Sequence, residues 1–141
     1  MSSLNRLKTK ILNDVRVELL DEFDRNFERQ GFFADNTWKP RKLLDKNRRQ
    51  RAILIKSSRL RNSLNARINY GRGEVVFTSS LPYAKVHNEG GKSGRGKGFT
   101  MPKRQFIGHH PTVDRLIVNI ITENIDDWLR DFSRLNMPRG D

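Results

Sequence analysis

The chain has 141 residues, is 35% hydrophobic, and carries 28 Lys+Arg against 16 Asp+Glu with no cysteine, for a formal net charge of +12. That length suits one domain, and its grouped, periodic apolar residues exclude full disorder. The absence of cysteine excludes a disulfide scaffold, thiol catalysis and cysteine-ligated metal, and no apolar run approaches the roughly 20 residues of a membrane-spanning helix.

Residues 4–30 read as a long amphipathic helix, with Leu4, Leu7, Ile11, Val15, Leu19, Phe23 and Phe27 at three- and four-residue steps. Ser2 or Ser3 is placed to cap its start, and Gly31 to stop it. At 1.5 Å per residue such a helix is about 40 Å long, against about 37 Å for a compact chain of this size. Part of its stripe is therefore expected to meet another element or another subunit.

Residues 31–62 form a Lys/Arg-dense connection, including Lys39-Pro40-Arg41-Lys42 and Arg48-Arg49-Gln50-Arg51. Pro40 argues against one continuous helix there, and a connection of this length is expected to be mobile in the free protein and ordered by partners. Leu64, Ala66, Ile68 and Tyr70 then alternate with polar residues, and Gly71-Arg72-Gly73 turns the chain into Glu74-Val75-Val76-Phe77-Thr78, the pattern of a β-hairpin. Tyr83 to Glu89 suits one or two helical turns, and Gly90 to Gly98 a glycine- and base-rich loop. Phe99 to Phe106 suits a third strand, which Pro102 limits to an edge. Residues 112–135 make a second long amphipathic helix behind Pro111, with Asp114 favourably placed at its start. The order predicts a single α+β domain. A small antiparallel sheet, hairpin plus edge strand, packs against two long helices, with the sheet and its loops over residues 63–108.

The charge is uneven. Residues 1–35 sum to −1, residues 36–104 to +15, and residues 105–141 to −2. A basic block of this kind attracts polyanions or an acidic protein surface and repels copies of itself at long range. It fits nucleic acid, a neighbouring acidic subunit, or a solvated surface equally well.

Catalytic motifs fail on inspection. Gly91-Lys92-Ser93 mimics the end of a phosphate loop, but Val86 stands where that motif needs its first glycine. His109 and His110 are adjacent and point apart, and His87-Asn88-Glu89 lacks the cysteine pair of a zinc deaminase. No nucleophile–base arrangement is discernible, so no enzyme, cofactor or metal site is expected. Scattered aromatics and the lack of a DNA- or RNA-binding signature leave only phosphate-directed, sequence-independent contact as a nucleic-acid mode.

Three blocks resemble the phage virion-morphogenesis, or tail-completion, proteins of Mu-like and related tailed phages. The first is Trp38-Lys39-Pro40 followed by Ile53-Leu54-Ile55-Lys56-Ser57-Ser58-Arg59-Leu60-Arg61-Asn62-Ser63-Leu64. The second is Leu81-Pro82-Tyr83-Ala84-Lys85-Val86-His87-Asn88-Glu89-Gly90-Gly91. The third, Met101-Pro102-Lys103-Arg104-Gln105-Phe106-Ile107-Gly108, is similar to the family's Pro-x-Arg-x-Phe-hydrophobic-Gly. Ser58 stands where the family commonly has glycine, and Asn88 where it commonly has glutamine.

The resemblance implies a non-enzymatic virion protein, made in the host bacterial cytoplasm and placed at the tail end or the head–tail neck. It implies a homo-oligomeric ring, usually hexameric, that meets tail-tube or head-connector proteins and no membrane. Trp38, Pro40, Leu60, Tyr83, Ala84, His87, Gly90, Gly91, Pro102, Arg104, Phe106 and Gly108 are then motif positions. Tyr83, His87 and Arg104 would hold the junction of loop and strand, and Phe106 would be buried in the subunit or at the ring interface. Arg48, Arg49, Arg51, Lys92, Arg95 and Lys97 would face DNA in a channel or an acidic partner. Fold maintenance for the motif residues, and a solvated loop for the basic ones, are the competing readings.

Overall fold

The computed structural model describes residues 2–39, 58–81, 84–93, 99–101 and 103–136. Helix α1 runs over Ser3–Arg29, and the Ser2 hydroxyl accepts the Asn5 N–H to cap it. Its buried stripe is Leu12, Val15, Leu19, Phe23 and Phe27, with one polar member, Asn26. The helix ends at Gln30 in the left-handed region (φ 59°), one residue before the glycine expected to stop it. Gly31 answers a different need. A Cβ there would lie 2.6 Å from the Asn36 carbonyl oxygen, because the chain doubles back at once.

That return is a tight loop. Gly31 bridges Thr37, Phe32 N–H donates to Asn36 O (2.9 Å), and Trp38 N–H donates to Gln30 O (2.7 Å). It throws Phe32, Phe33 and Trp38 back into the interior. The expected connection over 31–62 is thus ordered at both ends, since Ser58–Asn62 forms the short helix α2. Residues 40–57 lie outside the described residues, and with them Pro40 and the cluster Arg48, Arg49 and Arg51.

Strands β1 (Leu64–Asn69) and β2 (Glu74–Ser79) pair antiparallel from Leu64↔Ser79 to Asn69↔Glu74. Gly73 takes a positive φ of 66° in the turn, and the Asn69 side chain accepts the Arg72 N–H (3.1 Å). Alternation puts Leu64, Val75 and Phe77 on the core side and leaves Val76 exposed.

Helix α3 (Ala84–Glu89) follows, and beyond it the structure departs from the expected single sheet. The third strand does not join the hairpin. Strand β3 (Gly91–Ser93) lies inside the expected glycine loop and pairs antiparallel with β4 (Phe99–Met101), making a second two-stranded sheet. A partner a few residues away costs less loop-closure entropy than a return to the hairpin. The strand also stops at Met101 rather than reaching Phe106, because side chains capture the backbone groups of the following segment.

Helix α4 spans Pro111–Asn136, with His110 Nδ1 accepting the Thr112 N–H (3.0 Å) as its cap. It runs antiparallel to α1: Trp128 Nε1–H donates to the Ser3 hydroxyl (2.6 Å) and Asn124 Nδ2–H to Asp14 (2.9 Å). One core cluster joins Val15, Leu19 and Phe23 of α1 to Phe32, Phe33, Val113 and Ile120, with the hairpin's Phe77 edge-on to Phe23 (5.1 Å, 86°). A second joins Phe27, Trp38, Leu60, Ala84 and Phe106. The architecture is α+β, with α1 in contact with both the hairpin and α4. Among the described residues, no helix is long and apolar enough to cross a membrane.

Candidate functional site

The second cluster gathers the motif residues of all three blocks. Trp38 and Leu60 from the first, Ala84 from the second and Phe106 from the third meet around Phe27 of α1. Leu60 and Phe106 are fully buried, and the Phe106 ring lies 5.3 Å from Phe27, which meets Trp38 edge-on at 5.7 Å. Three segments far apart in sequence thus share one aromatic core.

Hydrogen bonds fix the third block within it. Arg104 N–H donates to His87 O (2.8 Å), and Trp38 Nε1–H donates to Gln105 O (2.8 Å). The Asn88 side-chain oxygen accepts both Phe106 N–H (2.9 Å) and Ile107 N–H (3.2 Å). From the other side Asn26 Nδ2–H donates to Phe106 O (3.0 Å). The Asn26 oxygen accepts Phe33 N–H and an Arg29 N–H, both at 3.0 Å. Two asparagines therefore clamp the peptide groups of Phe106, one from α1 and one from α3. Buried backbone groups need such partners, and here side chains supply what a strand ladder would have.

Arg104 is buried and turns its Nε and Nη2 onto the Lys39 carbonyl oxygen (3.2 Å each), tying the third block to the end of the first. Burial first, and next the Arg104 charge, hold the His87 imidazole below the usual histidine range. Gly90 sits at φ 76°, where a Cβ would press on Lys103 N at 3.0 Å, so α3 and the third block approach as only glycine permits. Gly108, at φ 143°, follows the clamped segment. Helix α2 is held to α1 by Arg61, which pairs in two-pronged fashion with Asp24 (2.7 and 2.8 Å) and reaches Glu28 (2.7 Å), raising its own pKa.

The structure thus brings Trp38, Leu60, Ala84, His87, Arg104 and Phe106 together, with Gly90 and Gly108 flanking them. Gly91 begins β3, and Lys92 follows it on the same strand. Pro40, Tyr83, Pro102, Arg48, Arg49, Arg51, Arg95 and Lys97 lie outside the described residues. The remaining histidines are elsewhere. His109 is exposed, and His110 stacks on Phe33 (4.5 Å) with Nε2 on Asp35 (2.7 Å), which lowers the Asp35 pKa.

Sequence reasoning missed Asn26 and Arg61 and took Asn88 only as a departure from the family pattern. Asn26 left one trace, a polar residue interrupting the apolar face between Phe23 and Phe27. Among the described residues, the polar groups of the site hold backbone and its aromatic rings fill the space between three segments.

The chain belongs to the phage virion morphogenesis family, whose model matches residues 2–126. It has a role in the building of phage particles. Among curated proteins it is similar to "Mu-like prophage FluMu G protein 2" of Haemophilus influenzae (strain ATCC 51907 / DSM 11121 / KW20 / Rd). The two are 34% identical over 135 residues, covering 92% of this chain and 88% of that protein. No solved structure matches it.

Proposed function

We propose that this protein is a non-enzymatic structural component of a tailed phage. In this reading it forms a homo-oligomeric ring, a hexamer, at the tail end or the head–tail neck. The ring completes the tail and mediates joining to the head by meeting tail-tube or connector proteins. The observation that carries the reading is the family match over residues 2–126, together with a motif whose residues serve to fix a scaffold. Light scattering on the purified protein and negative-stain images of particles assembled with and without it test the proposal. A ring-sized species and tails left unjoined or of irregular length without the protein are expected. A chain that stays monomeric and is absent from purified virions would overturn it.

A second reading rests on the +15 of residues 36–104: phosphate-directed binding of DNA without sequence preference. Binding to duplex DNA would then fall steeply as salt rises, and changing Lys92, Arg95 and Lys97 to glutamate would abolish it. No binding at low salt removes this reading.

A further inference from the structure

Helix α4 carries two apolar stripes rather than one. The inner stripe, with Val113, Ile117 and Ile120, packs into the core between α1 and the aromatic loop. The outer stripe is Val118, Ile121, Ile125, Leu129 and Phe132, at steps of three and four residues that keep it on one face. Val118 is 59% exposed, Ile125 38%, Leu129 47% and Phe132 47%, and none of them belongs to either core cluster. A helix on the surface of a monomer needs only one such stripe, and a contiguous second one marks a contact. The stripe is also held in shape, since Phe132 stacks on Trp128 (5.3 Å), which is hydrogen-bonded to Ser3.

We propose that this stripe is a two-fold contact with a second copy of the chain, the two α4 helices running antiparallel and crossing at Ile125. Two observations select that occupant. The stripe is symmetric in spacing about Ile125, with members four and seven residues to either side. Reversing one helix against the other therefore sets Phe132 opposite the smaller Val118 and Leu129 opposite Ile121, a self-complementary surface of the kind a two-fold axis requires. Charge agrees. Copies bearing +12 repel, but the repulsion lies in the +15 of residues 36–104, whereas residues 105–141 sum to −2. The helix that makes the contact carries no part of that positive excess. The contact is distinct from the ring proposed above, in which successive subunits meet through different faces.

The chain has no cysteine, so a single engineered thiol reports its own surroundings. On the axis a residue faces its own copy, within reach of a disulfide. Under mild oxidation of the full chain, Ile125→Cys is expected to give at least about tenfold more covalent dimer than Val17→Cys or Val76→Cys, because pairing raises the local thiol concentration. Both control positions are exposed. Val118→Cys and Phe132→Cys are each expected to cross-link poorly alone and readily when mixed. Dimer from Ile125→Cys no greater than from the controls would overturn the proposal, as would a Val118→Cys chain that links to itself as well as to Phe132→Cys. Covering of the stripe by a different protein gives the first of those results. Light scattering separates this inference from the ring. A ring-sized species without the Ile125 cross-link leaves the ring standing and removes the two-fold contact. The cross-link in a chain that builds nothing larger does the reverse.

Discussion

The two ends of α1 are built in opposite ways. At its C-terminal end Phe27 and Asn26 are fully buried, rings pack from three segments, and polar side chains hold the backbone of residues 105–107. At its N-terminal end the helix has α4 beside it, the first buried residue is Leu12, and Leu4 is 63% exposed. The described motif residues Trp38, Leu60, Ala84, Arg104 and Phe106 map onto the closed end, and exposed Leu4, Leu129 and Phe132 onto the open one. The difference teaches that motif residues can be the ones that fasten a fold together, while exposed apolar surface carries little recognisable pattern.

Mutations should divide along the same line. Phe106→Ala removes a ring from the middle of the second cluster and should cost about 3–5 kcal/mol, read as a shift of the urea midpoint at constant slope. If it costs no more than a surface change, the closed end is not the stabilising one. Asn26→Ala leaves the Phe106 carbonyl and the Phe33 N–H without their partners in a dry site, and about 2–3 kcal/mol should be lost. Asn26→Asp keeps the acceptor for Phe33 N–H but cannot donate to Phe106 O, so it separates the two halves of the clamp.

A smaller effect depends on pH. The folded chain holds His87 below the ordinary value of 6.5, so as pH falls through that value the unfolded chain takes up a proton that the folded one does not. Stability from this group is thus complete above about 6.5 and declines as the pH falls from there towards the folded value. Denaturation midpoints for the wild type and His87→Gln between pH 8 and pH 5 should diverge in that direction. Smallest of all, Leu129→Ser at the open end, measured at a concentration dilute enough to keep the chain monomeric, should change stability by no more than about 0.5 kcal/mol, since Leu129 is 47% exposed and belongs to neither core cluster. A large loss there would show that the end is closed within one chain.

Much of the fold was legible because its signals are local. Three- and four-residue spacing located both long helices to within a residue or so, and alternation with a glycine turn located the hairpin. The motif blocks were legible as a family pattern, but their geometry was not. Asn26 bonds to a carbonyl 80 residues away and Trp38 to one 67 away, and no periodicity encodes such a partner. The same cause explains the strand that was expected to reach Phe106. Its composition suits a strand, yet Asn88, Asn26 and Trp38 occupy the groups a ladder would use. The helical pattern of α4 mixes Ile121, Leu129 and Phe132 with the inner stripe and passes over Val118 and Ile125. Only packing could say which apolar residues were already covered.

The start of α4 is a mechanical anchor. His110 is gripped three ways at once: its Nδ1 receives the helix's Thr112 N–H, its Nε2 meets Asp35, and its ring lies on Phe33. From there to Phe132 the helix extends about 33 Å, so a tilt of about 5° at the histidine would swing the far end by about 3 Å. One imidazole, seated in the aromatic loop, is therefore the near anchor of a lever whose far anchors are the Asn124–Asp14 and Trp128–Ser3 bonds. The direction in which α4 points is set jointly by anchors at its two ends.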